Sequence, residues 1–406
     1  MIDKITLLGS SSGRNAGDAA LPSGIMDSID KLCGKNLLYE IPTIKPSFVS
    51  GTYPNRVKPI SMLPWSGSLK MLGYPTFKSI MNTDLSLIFD AILFDRSLFN
   101  PLFNHLSTLY LMLPYAIKRG RKLGLYNVGV GPLTTPLGKR MMKEIADMAH
   151  FITVRDQGSY DILMDIGVTN PRIIKTADAA LNVTSAPEER VLQILTRAGI
   201  NPSEEILALN ISAYLDSWAG HGKSSMGKAR FIEVYTAAIN RVLREIKSQV
   251  LFIGTQHHDI GVTKEIMARI KTERPVGFVH NKEYNHFEVK GVLSKVSLLF
   301  GMRLHALILA SANCTPICGL PHQPKVTFYM QTVGLKDFNL GFDNFNEESI
   351  YQHLMRTWNE RHNIRKTLEQ RIPILKQEAM KGAEIVAAMD RGETVESAIS
   401  QLAAAA

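Results

Sequence analysis

The stretch Val296-Ser-Leu-Leu-Phe-Gly-Met-Arg-Leu-His-Ala-Leu-Ile-Leu-Ala310 decides the class of fold. Its first half is a short apolar run, which is typical of a strand buried on both faces. Its second half is typical of an apolar helix that begins near Leu304, and Gly301 ends the strand between them. A buried strand that leads directly into a buried helix is the unit from which parallel α/β sheets are built.

The same alternation of strand and helix extends along the chain in both directions. The predicted strands are Ile5–Gly9, Leu37–Ile41, Leu85–Phe89, Tyr126–Val130, Phe151–Val154, Ile173–Thr176, Ile206–Ile211, Val250–Gly254, Val276–His280, Ser297–Phe300 and Pro316–Gly319. Amphipathic segments separate most of them, which predicts parallel sheets covered by helices on both faces. We therefore predict an α/β fold of two doubly wound Rossmann-like domains that face each other across a cleft. The predicted domains are residues 1–190 and 191–357. They are followed by a helical segment, residues 358–406, that is predicted to pack back across both domains.

Composition narrows the functional classes. The chain has 406 residues, a formal net charge of +9, 45% hydrophobic residues and 20% charged residues, which is typical of a packed globular protein and excludes disorder. Three cysteines are too few for a disulfide framework, so we expect a reducing cytoplasm. The basic excess is compatible with nucleic acid, a membrane surface or an anionic substrate as the partner.

Cations stand at several predicted strand ends. Arg303 and His305 lie at the start of the helix that follows Gly301, where backbone N–H groups and the helix dipole favour anions. Lys325 follows the last predicted strand, and Arg155 follows Phe151–Val154. Arg155 is predicted to emerge at a strand end of the first domain that faces the second domain, so these cations around one cleft predict a site for a small, multiply charged anion. The alternative for Arg303 is an internal ion pair with an acid.

Two loops are candidates for further contacts. After the first strand, the loop Gly9–Asp18 carries Arg14, Asn15, Gly17 and Asp18, and its glycines allow a ligand to approach the backbone closely. Val128-Gly-Val-Gly-Pro132, which includes Gly131, also ends a strand. The alternative for both loops is an ordinary turn. No cluster of residues has the spacing of metal ligands, so we predict no metal site.

The stretch Leu102–Lys122 has two interpretations. Leucines and other apolar residues recur at helical spacing, and four cations follow them. A basic amphipathic helix of this kind binds loosely to a membrane surface. The alternative is a helix whose apolar stripe faces the core and whose basic last turn complements the helix dipole.

Taken together, Gly301-Met-Arg-Leu-His-Ala-Leu-Ile308, Pro324-Lys-Val326, Val154-Arg-Asp156 and Asn15-Ala-Gly-Asp18 resemble the polysaccharide pyruvyltransferase family. The resemblance extends from the first strand to about Val333. It implies a GT-B-type fold and transfer of a pyruvyl group, as a ketal, from phosphoenolpyruvate to a sugar of a cell-surface polysaccharide or of its lipid-linked precursor. The implied contacts to phosphoenolpyruvate are Arg155, Arg303, Leu304, His305 and Lys325.

The expected mechanism follows from these residues and this resemblance. His305 is the candidate acid–base group, because an imidazole transfers protons near neutral pH. Arg303 is the second candidate catalytic residue. Phosphoenolpyruvate is expected to be a co-substrate, and the reaction is expected to need no metal or cofactor. Arg14, Asn15, Gly17, Asp18 and Gly131 are the candidate acceptor or loop contacts. We expect a cytoplasmic enzyme that contacts the inner face of the membrane through Leu102–Lys122.

One departure from the family pattern and two alternative functions accompany this interpretation. Family members commonly carry a glycine-rich loop where this chain has Asp90-Ala-Ile-Leu-Phe-Asp95, without glycine. A sugar-nucleotide glycosyltransferase of the same fold would need an acid that contacts a ribose, and Glu288 is the candidate. A non-catalytic module that binds anions or nucleic acid would need an exposed basic stripe with aromatic residues. The acceptor sugar, the ketal positions and the oligomeric state are not encoded in any recognisable motif.

Overall fold

Twelve strands form two parallel sheets in the computed structural model, which describes residues 1–35, 37–62, 73–99, 104–213, 227–320, 324–341 and 345–404. The chain divides into two compact units. The first unit comprises residues 1–13, 18–183 and 375–406, and the second comprises residues 14–17 and 184–374.

The sheet of the first unit has seven strands. They are β1 (Lys4–Leu8), β2 (Leu38–Thr43), β3 (Val57–Ser61), β4 (Leu85–Ile88), β5 (Lys122–Val128), β6 (Phe151–Val154) and β7 (Ile173–Lys175). All neighbours pair in parallel in the order β3-β2-β1-β4-β5-β6-β7. The direction in which strands are added reverses between β1 and β4, which is the hallmark of a doubly wound sheet.

The sheet of the second unit repeats this plan with five strands. They are β8 (Ile206–Asn210), β9 (Gln249–Gly254), β10 (Val276–His280), β11 (Leu298–Gly301) and β12 (Ile317–Gly319). Their order is β10-β9-β8-β11-β12, again parallel throughout, and the direction reverses between β8 and β11. The predicted class of fold, with two Rossmann-like sheets, is confirmed.

Helices connect almost all of these strands. The α-helices are Ala16–Cys33, Pro46–Thr52, Tyr74–Asn82, His105–Lys118, Pro136–Met148, Gln157–Asp165, Glu188–Arg197, Lys228–Glu245, Ile260–Met267, His286–Leu293, Leu304–Ser311, Pro324–Thr332, Glu347–Asp390 and Val395–Ala404. Among the helices in the described ranges, none combines the length and the apolar character that crossing a membrane requires.

β3 is the strand that the sequence pattern does not reveal. It contains Pro59, and a proline cannot donate a hydrogen bond to a neighbouring strand. The structure places β3 at the edge of the sheet, where one side of a strand needs no partner, so Pro59 is tolerated there.

The helix Glu347–Asp390 belongs to both units, because the division falls between Ile374 and Leu375. Its second part packs on the sheet of the first unit. A Cβ added at Gly382 would lie 2.8 Å from the ring of Tyr126, and Asn127 Nδ2 donates to the carbonyl of Ala379 over 2.9 Å. The predicted return of the C-terminal segment onto an earlier domain is therefore present, although the predicted segment 358–406 is divided between the units.

The helix His105–Lys118 decides between the two interpretations of Leu102–Lys122, because it shows where the apolar side chains lie. Leu106, Leu109 and Leu113 are buried in the core of the first unit, as the core-facing alternative predicts. The membrane interpretation is therefore wrong for this stripe, since these side chains already have an apolar environment. Leu102 and Phe103 lie outside the described residues.

Asp95 anchors the start of the helix Pro136–Met148. Its carboxylate accepts hydrogen bonds from the backbone N–H of Thr134 over 2.7 Å and from the hydroxyl of Thr135 over 2.8 Å. Thr135 is the N-cap, and its hydroxyl in turn accepts from the N–H of Gly138. Burial opposes the charge on Asp95, but these donors outweigh burial and hold the pKa of the carboxyl below its ordinary value.

We expect Asp95→Ala to lower the free energy of unfolding by about 3 kcal/mol at neutral pH, because charge-assisted hydrogen bonds and a helix cap are lost together. A group with a depressed pKa stabilises the fold above its unfolded pKa, so this difference should shrink as the pH falls below about 4. Thermal unfolding at pH 7 and at acid pH measures both effects. Asp165→Asn, at an exposed carboxylate, is the control; equal midpoints for Asp95→Ala and wild type at pH 7 would contradict the prediction.

Candidate functional site

The switch point of the second sheet lies beside Asn210, the last residue of β8. Open α/β sheets bind ligands at the carboxyl ends of their strands at such a point. Asn210 is fully buried, and its Oδ1 accepts from the backbone N–H of Arg303 over 2.9 Å. Its Nδ2 donates to the carbonyl of Ile253 on β9 over 2.8 Å. Asn210 thereby sets the position at which the chain leaves β11 and enters the helix Leu304–Ser311.

Arg303 forms a bidentate ion pair with Asp259. Its Nε and Nη2 donate to the two carboxylate oxygens of Asp259 over 2.9 and 2.8 Å. Asp259 is completely buried, whereas 14% of the Arg303 side chain is exposed. The internal ion pair that the sequence left open as the alternative is therefore present. Since a guanidinium has five N–H donors, the pair with Asp259 and a role in anion binding are compatible.

His305 packs against the backbone of Gly17. A Cβ added at Gly17 would lie 2.1 Å from Nδ1 of His305, so only glycine fits at this position without displacing the ring. His305 is buried and lies in the first turn of the helix Leu304–Ser311. Gly17, a candidate ligand contact, thus helps to fix the position of the His305 ring, the candidate acid–base group.

The segment Arg14–Gly17 is held by the second unit through backbone hydrogen bonds. The N–H of Ala16 donates to the carbonyl of Thr255 over 2.8 Å, and the N–H of His257 donates to the carbonyl of Arg14 over 2.9 Å. Asn15 Oδ1 accepts from the N–H of Gly17 over 2.9 Å. These contacts bring Arg14, Asn15 and Gly17 to the same strand ends as Arg303 and His305.

Leu304 and Lys325 complete the predicted set in the second unit. Leu304 is buried at the first position of its helix. Lys325 is partly exposed in the first turn of the helix Pro324–Thr332, which follows β12. The three residues before Pro324 lie outside the described residues.

Arg155 lies in the first unit, at the carboxyl end of β6. It is buried, and its Nη1 is 2.9 Å from an oxygen of Asp178 and 4.0 Å from one of Asp90, while its Nε is 3.6 Å from Asp156. Burial disfavours the charged guanidinium, but Asp178, Asp156 and Asp90 outweigh burial and raise the pKa of Arg155. These carboxylates are the counter-charges of Arg155. Over the described ranges, no group of three or more metal-ligating side chains is arranged to hold an ion.

β5 is irregular shortly before Gly129, the residue that the guanidinium of Arg155 approaches. The register with β6 shifts between Leu125 and Val128, and Asn127 adopts a left-handed conformation with φ of 46°. Asn127 Oδ1 accepts from the hydroxyls of Thr153 and Thr176, each over 2.9 Å. Two residues on, a Cβ at Gly129 would lie 2.7 Å from Nη2 of Arg155. The glycine therefore permits this close approach.

Asp18 is a carboxyl with an unusual proton affinity. It is buried in the first turn of the helix Ala16–Cys33 and accepts from the hydroxyl of Ser12 over 2.9 Å. Burial and the negative charge of Asp90 raise its pKa to about 7, despite opposing hydrogen bonds from Ser12 and Ser10. A carboxyl that titrates near neutral pH is suited to proton transfer.

Asp90 occupies the segment that departs from the family pattern. It follows β4 at the switch point of the first sheet and has a φ of 66°, a left-handed conformation that favours glycine. The chain thus turns at this point as a glycine would allow, but it presents a carboxylate. Gly131, the candidate in the neighbouring loop, has a φ of 91°, and its N–H donates to the carbonyl of Leu93 over 2.8 Å. Gly131 therefore forms part of a turn that requires a positive φ.

Glu288, the candidate ribose contact of the glycosyltransferase alternative, is engaged locally. It forms a capping box with Asn285 at the start of the helix His286–Leu293. Its Oε1 also pairs with Nε of Arg190 over 2.7 Å. Both interactions are structural, which weakens the case for Glu288 as a nucleotide contact.

Four polar residues were not identified from the sequence: Asp90, Asp178, Asn210 and Asp259. Asp90, Asp178 and Asn210 end a strand or closely follow one, so a search for polar residues at strand ends would have found them, whereas Asp259 lies in a short helical turn after β9. The structure groups Arg14, Asn15, Gly17, Arg303, Leu304, His305 and Lys325 in the second unit and Asp18, Gly131 and Arg155 in the first.

Two sequence comparisons each match most of this chain to known proteins. A family model described as polysaccharide pyruvyl transferase matches residues 15–324. The amylovoran biosynthesis protein AmsJ of Erwinia amylovora is 22% identical over 385 residues, which cover 86% of this chain and 90% of that protein.

Solved structures of low sequence identity share the architecture. A putative UDP-N-acetylglucosamine 2-epimerase from Listeria monocytogenes has a TM-score of 0.66 at 11% identity and covers 97% of this chain and 98% of its own. The UDP-GlcNAc 2-epimerase of Neisseria meningitidis has a TM-score of 0.62 at 12% identity, covering 93% and 97%. A glycosyltransferase from Rickettsia africae has a TM-score of 0.59 at 12% identity, covering 95% and 97%. At these identities the likeness establishes the fold alone.

Proposed function

The chain belongs to the polysaccharide pyruvyl transferase family, and from that premise we propose that it transfers a pyruvyl group from phosphoenolpyruvate to hydroxyls of a sugar. The sugar is part of a polysaccharide or of its lipid-linked precursor. The proposal rests on one observation. Arg303 and His305 both lie at the start of the helix Leu304–Ser311, beside the switch point of the second sheet.

Phosphoenolpyruvate carries a carboxylate and a phosphate, so its site must supply several positive groups. In the proposed donor site, the start of the helix Leu304–Ser311, where the helix dipole favours negative charge, receives one anionic group. Arg303 and Lys325 add charge in the same unit, and Arg155 is the proposed contribution of the first unit. The buried Asp259 holds the Arg303 side chain in one orientation, which lowers the entropy lost when the donor binds.

The proposed reaction begins with a proton. His305 donates it to the methylene carbon of phosphoenolpyruvate, which becomes the methyl group, and positive charge develops at the carbon that bears the phosphate. A sugar hydroxyl attacks that carbon and loses its proton, and the C–O bond to phosphate breaks to release inorganic phosphate. A second hydroxyl of the same sugar then attacks the same carbon, closes the ketal and gives its proton to His305, which restores the acid. All atoms are supplied by the donor and the sugar.

Asp18 is the proposed acceptor of the proton from the attacking hydroxyl. A carboxyl with a pKa of about 7 is half ionised near neutral pH and therefore able to take a proton there. Asp90 is the proposed positioning partner, because its charge helps to raise the pKa of Asp18. Arg14 and Asn15 remain proposed acceptor contacts. The proposed location is the cytoplasm, at the inner face of the membrane, and the three free cysteines suit a reducing compartment.

Phosphate release from phosphoenolpyruvate tests the function. We expect release that depends on a sugar or oligosaccharide acceptor and a matching gain of a carboxyethylidene group by mass spectrometry. His305→Gln is the negative control, and UDP-sugars replace phosphoenolpyruvate in a parallel assay. Release of UDP without turnover of phosphoenolpyruvate would instead support the glycosyltransferase alternative, and binding of anions without any turnover would support a non-catalytic module.

A further inference from the structure

Two neighbouring helices of the first unit expose large apolar side chains. On His105–Lys118, 76% of Leu111 and 45% of Tyr115 are exposed, and on Tyr74–Asn82, 50% of Tyr74 is exposed. These side chains lie opposite the buried stripe of the same helix. An exposed leucine by itself is ordinary, but a group of large apolar side chains on adjacent helices indicates an interaction surface.

The exposed residues form one continuous face. Leu111 and Tyr115 are four residues apart, as are Tyr74 and Lys78, so each pair lies on one side of its helix. The rings of Phe77 and Tyr115 are 5.6 Å apart and join the two helices. The guanidinium of Arg119 lies 4.8 Å from the ring of Tyr115. We name the set of Tyr74, Lys78, Leu111, Tyr115, Lys118 and Arg119 the apolar–basic face.

Positive charge is concentrated in the segments that carry this face. No Asp or Glu stands between Glu40 and Asp84 or between Asp95 and Glu144, whereas the two segments hold thirteen Lys and Arg residues. Because the whole chain has a net charge of +9, the rest of it is net negative. Lys78, Lys118 and Arg119 are exposed, and none of the ion pairs seen within the described ranges involves them.

We propose that the apolar–basic face binds the surface of an anionic lipid bilayer. Lys78, Lys118 and Arg119 attract the headgroups, and Leu111 inserts at the boundary of headgroups and acyl chains. The tyrosines suit that boundary, because each has an apolar ring and a polar tip. Charge attraction and apolar insertion act together, as stable peripheral attachment requires. A nucleic acid would engage the cations and the rings but would leave Leu111 in water.

This inference deepens the proposed location at the membrane, but it does not rest on the proposed reaction, because vesicle binding needs no donor and no sugar. The phosphate-release assay with a water-soluble acceptor needs no membrane. Failure of either experiment is therefore distinct from failure of the other.

Flotation of the full chain with vesicles tests the inference. We expect binding to vesicles of phosphatidylcholine and phosphatidylglycerol at low salt, and much weaker binding to phosphatidylcholine alone or in about 1 M salt, where the screening length is about 3 Å. The double variant Lys118→Glu/Arg119→Glu should weaken partitioning at least about thirtyfold, and Leu111→Ser about tenfold.

A matched control separates the effect of the apolar–basic face on vesicle binding from the effect of net charge. Arg244→Glu/Lys247→Glu makes the same charge change at two exposed residues near the end of the helix Lys228–Glu245 in the second unit and should weaken partitioning less than about threefold. Thermal midpoints should be equal for all variants, since the changed side chains are exposed. Equal loss in both double variants would overturn the inference. So would a dimer that Leu111→Ser abolishes, or retention on single-stranded RNA, if either occurs without vesicle binding.

Discussion

His305→Gln is expected to lower turnover about 10²–10⁴-fold while phosphoenolpyruvate still binds within a few-fold of the wild-type affinity. The factor is the usual contribution of a general acid or base. Glutamine retains a hydrogen-bonding side chain of similar length but cannot donate a proton to carbon. Binding should persist because the helix start, Arg303 and Lys325 are unchanged.

Glutamine is a better test than alanine at this position. The ring of His305 fills the space beside the backbone of Gly17, so alanine would leave a gap at this contact. Single-turnover phosphate release measures the chemical step, and calorimetry measures donor binding. His258→Gln, at an exposed histidine after β9 in the same unit, is the matched control and should keep full turnover. Near-normal turnover of His305→Gln would falsify its role as the acid.

Asp18→Asn is expected to lower turnover about 10²-fold or more and to remove the ionisation that governs activity near neutral pH. In the wild-type enzyme, burial and the charge of Asp90 raise the pKa of Asp18 to about 7. The base form therefore accumulates as the pH rises through 7, and activity should rise with it. The asparagine variant should show a low rate without this acidic limb, measured as kcat against pH.

Asp90→Asn provides the control for this assignment. Removing the like charge should move the acidic limb of the pH profile to lower pH, but only in part, because burial is the larger cause of the raised pKa. An unchanged profile in both Asp18→Asn and Asp90→Asn would show that another group titrates.

The same raised pKa has a consequence for stability. The folded chain keeps a proton on Asp18 between about pH 4 and pH 7 that the unfolded chain has released, so stability due to this group falls as the pH rises through that window. Asp18→Asn should remove this dependence. Comparison of thermal midpoints at pH 5 and pH 8 for the variant and the wild type checks the sign.

The periodicity of the sequence was sufficient for the class of fold. β6 has the predicted bounds because a strand buried on both faces is largely apolar along its length, and such a run is visible locally. β3 was not predicted, because it is an edge strand that contains Pro59 and is not apolar along its length. Arg303 and His305 were recognisable because polar residues at the start of an apolar helix need a specific reason to be there.

Only the tertiary structure decided which residues are partners. The pairs Arg303–Asp259 and Arg155–Asp178 and the contact of His305 with Gly17 join positions that are distant in sequence. They depend on strand order and on the space left by neighbouring side chains, which local patterns do not encode. The helix His105–Lys118 illustrates the same limit. Periodicity identifies an apolar stripe, but the packing of the first unit determined that this stripe is buried and that Leu111 and Tyr115, on the opposite side, face the solvent.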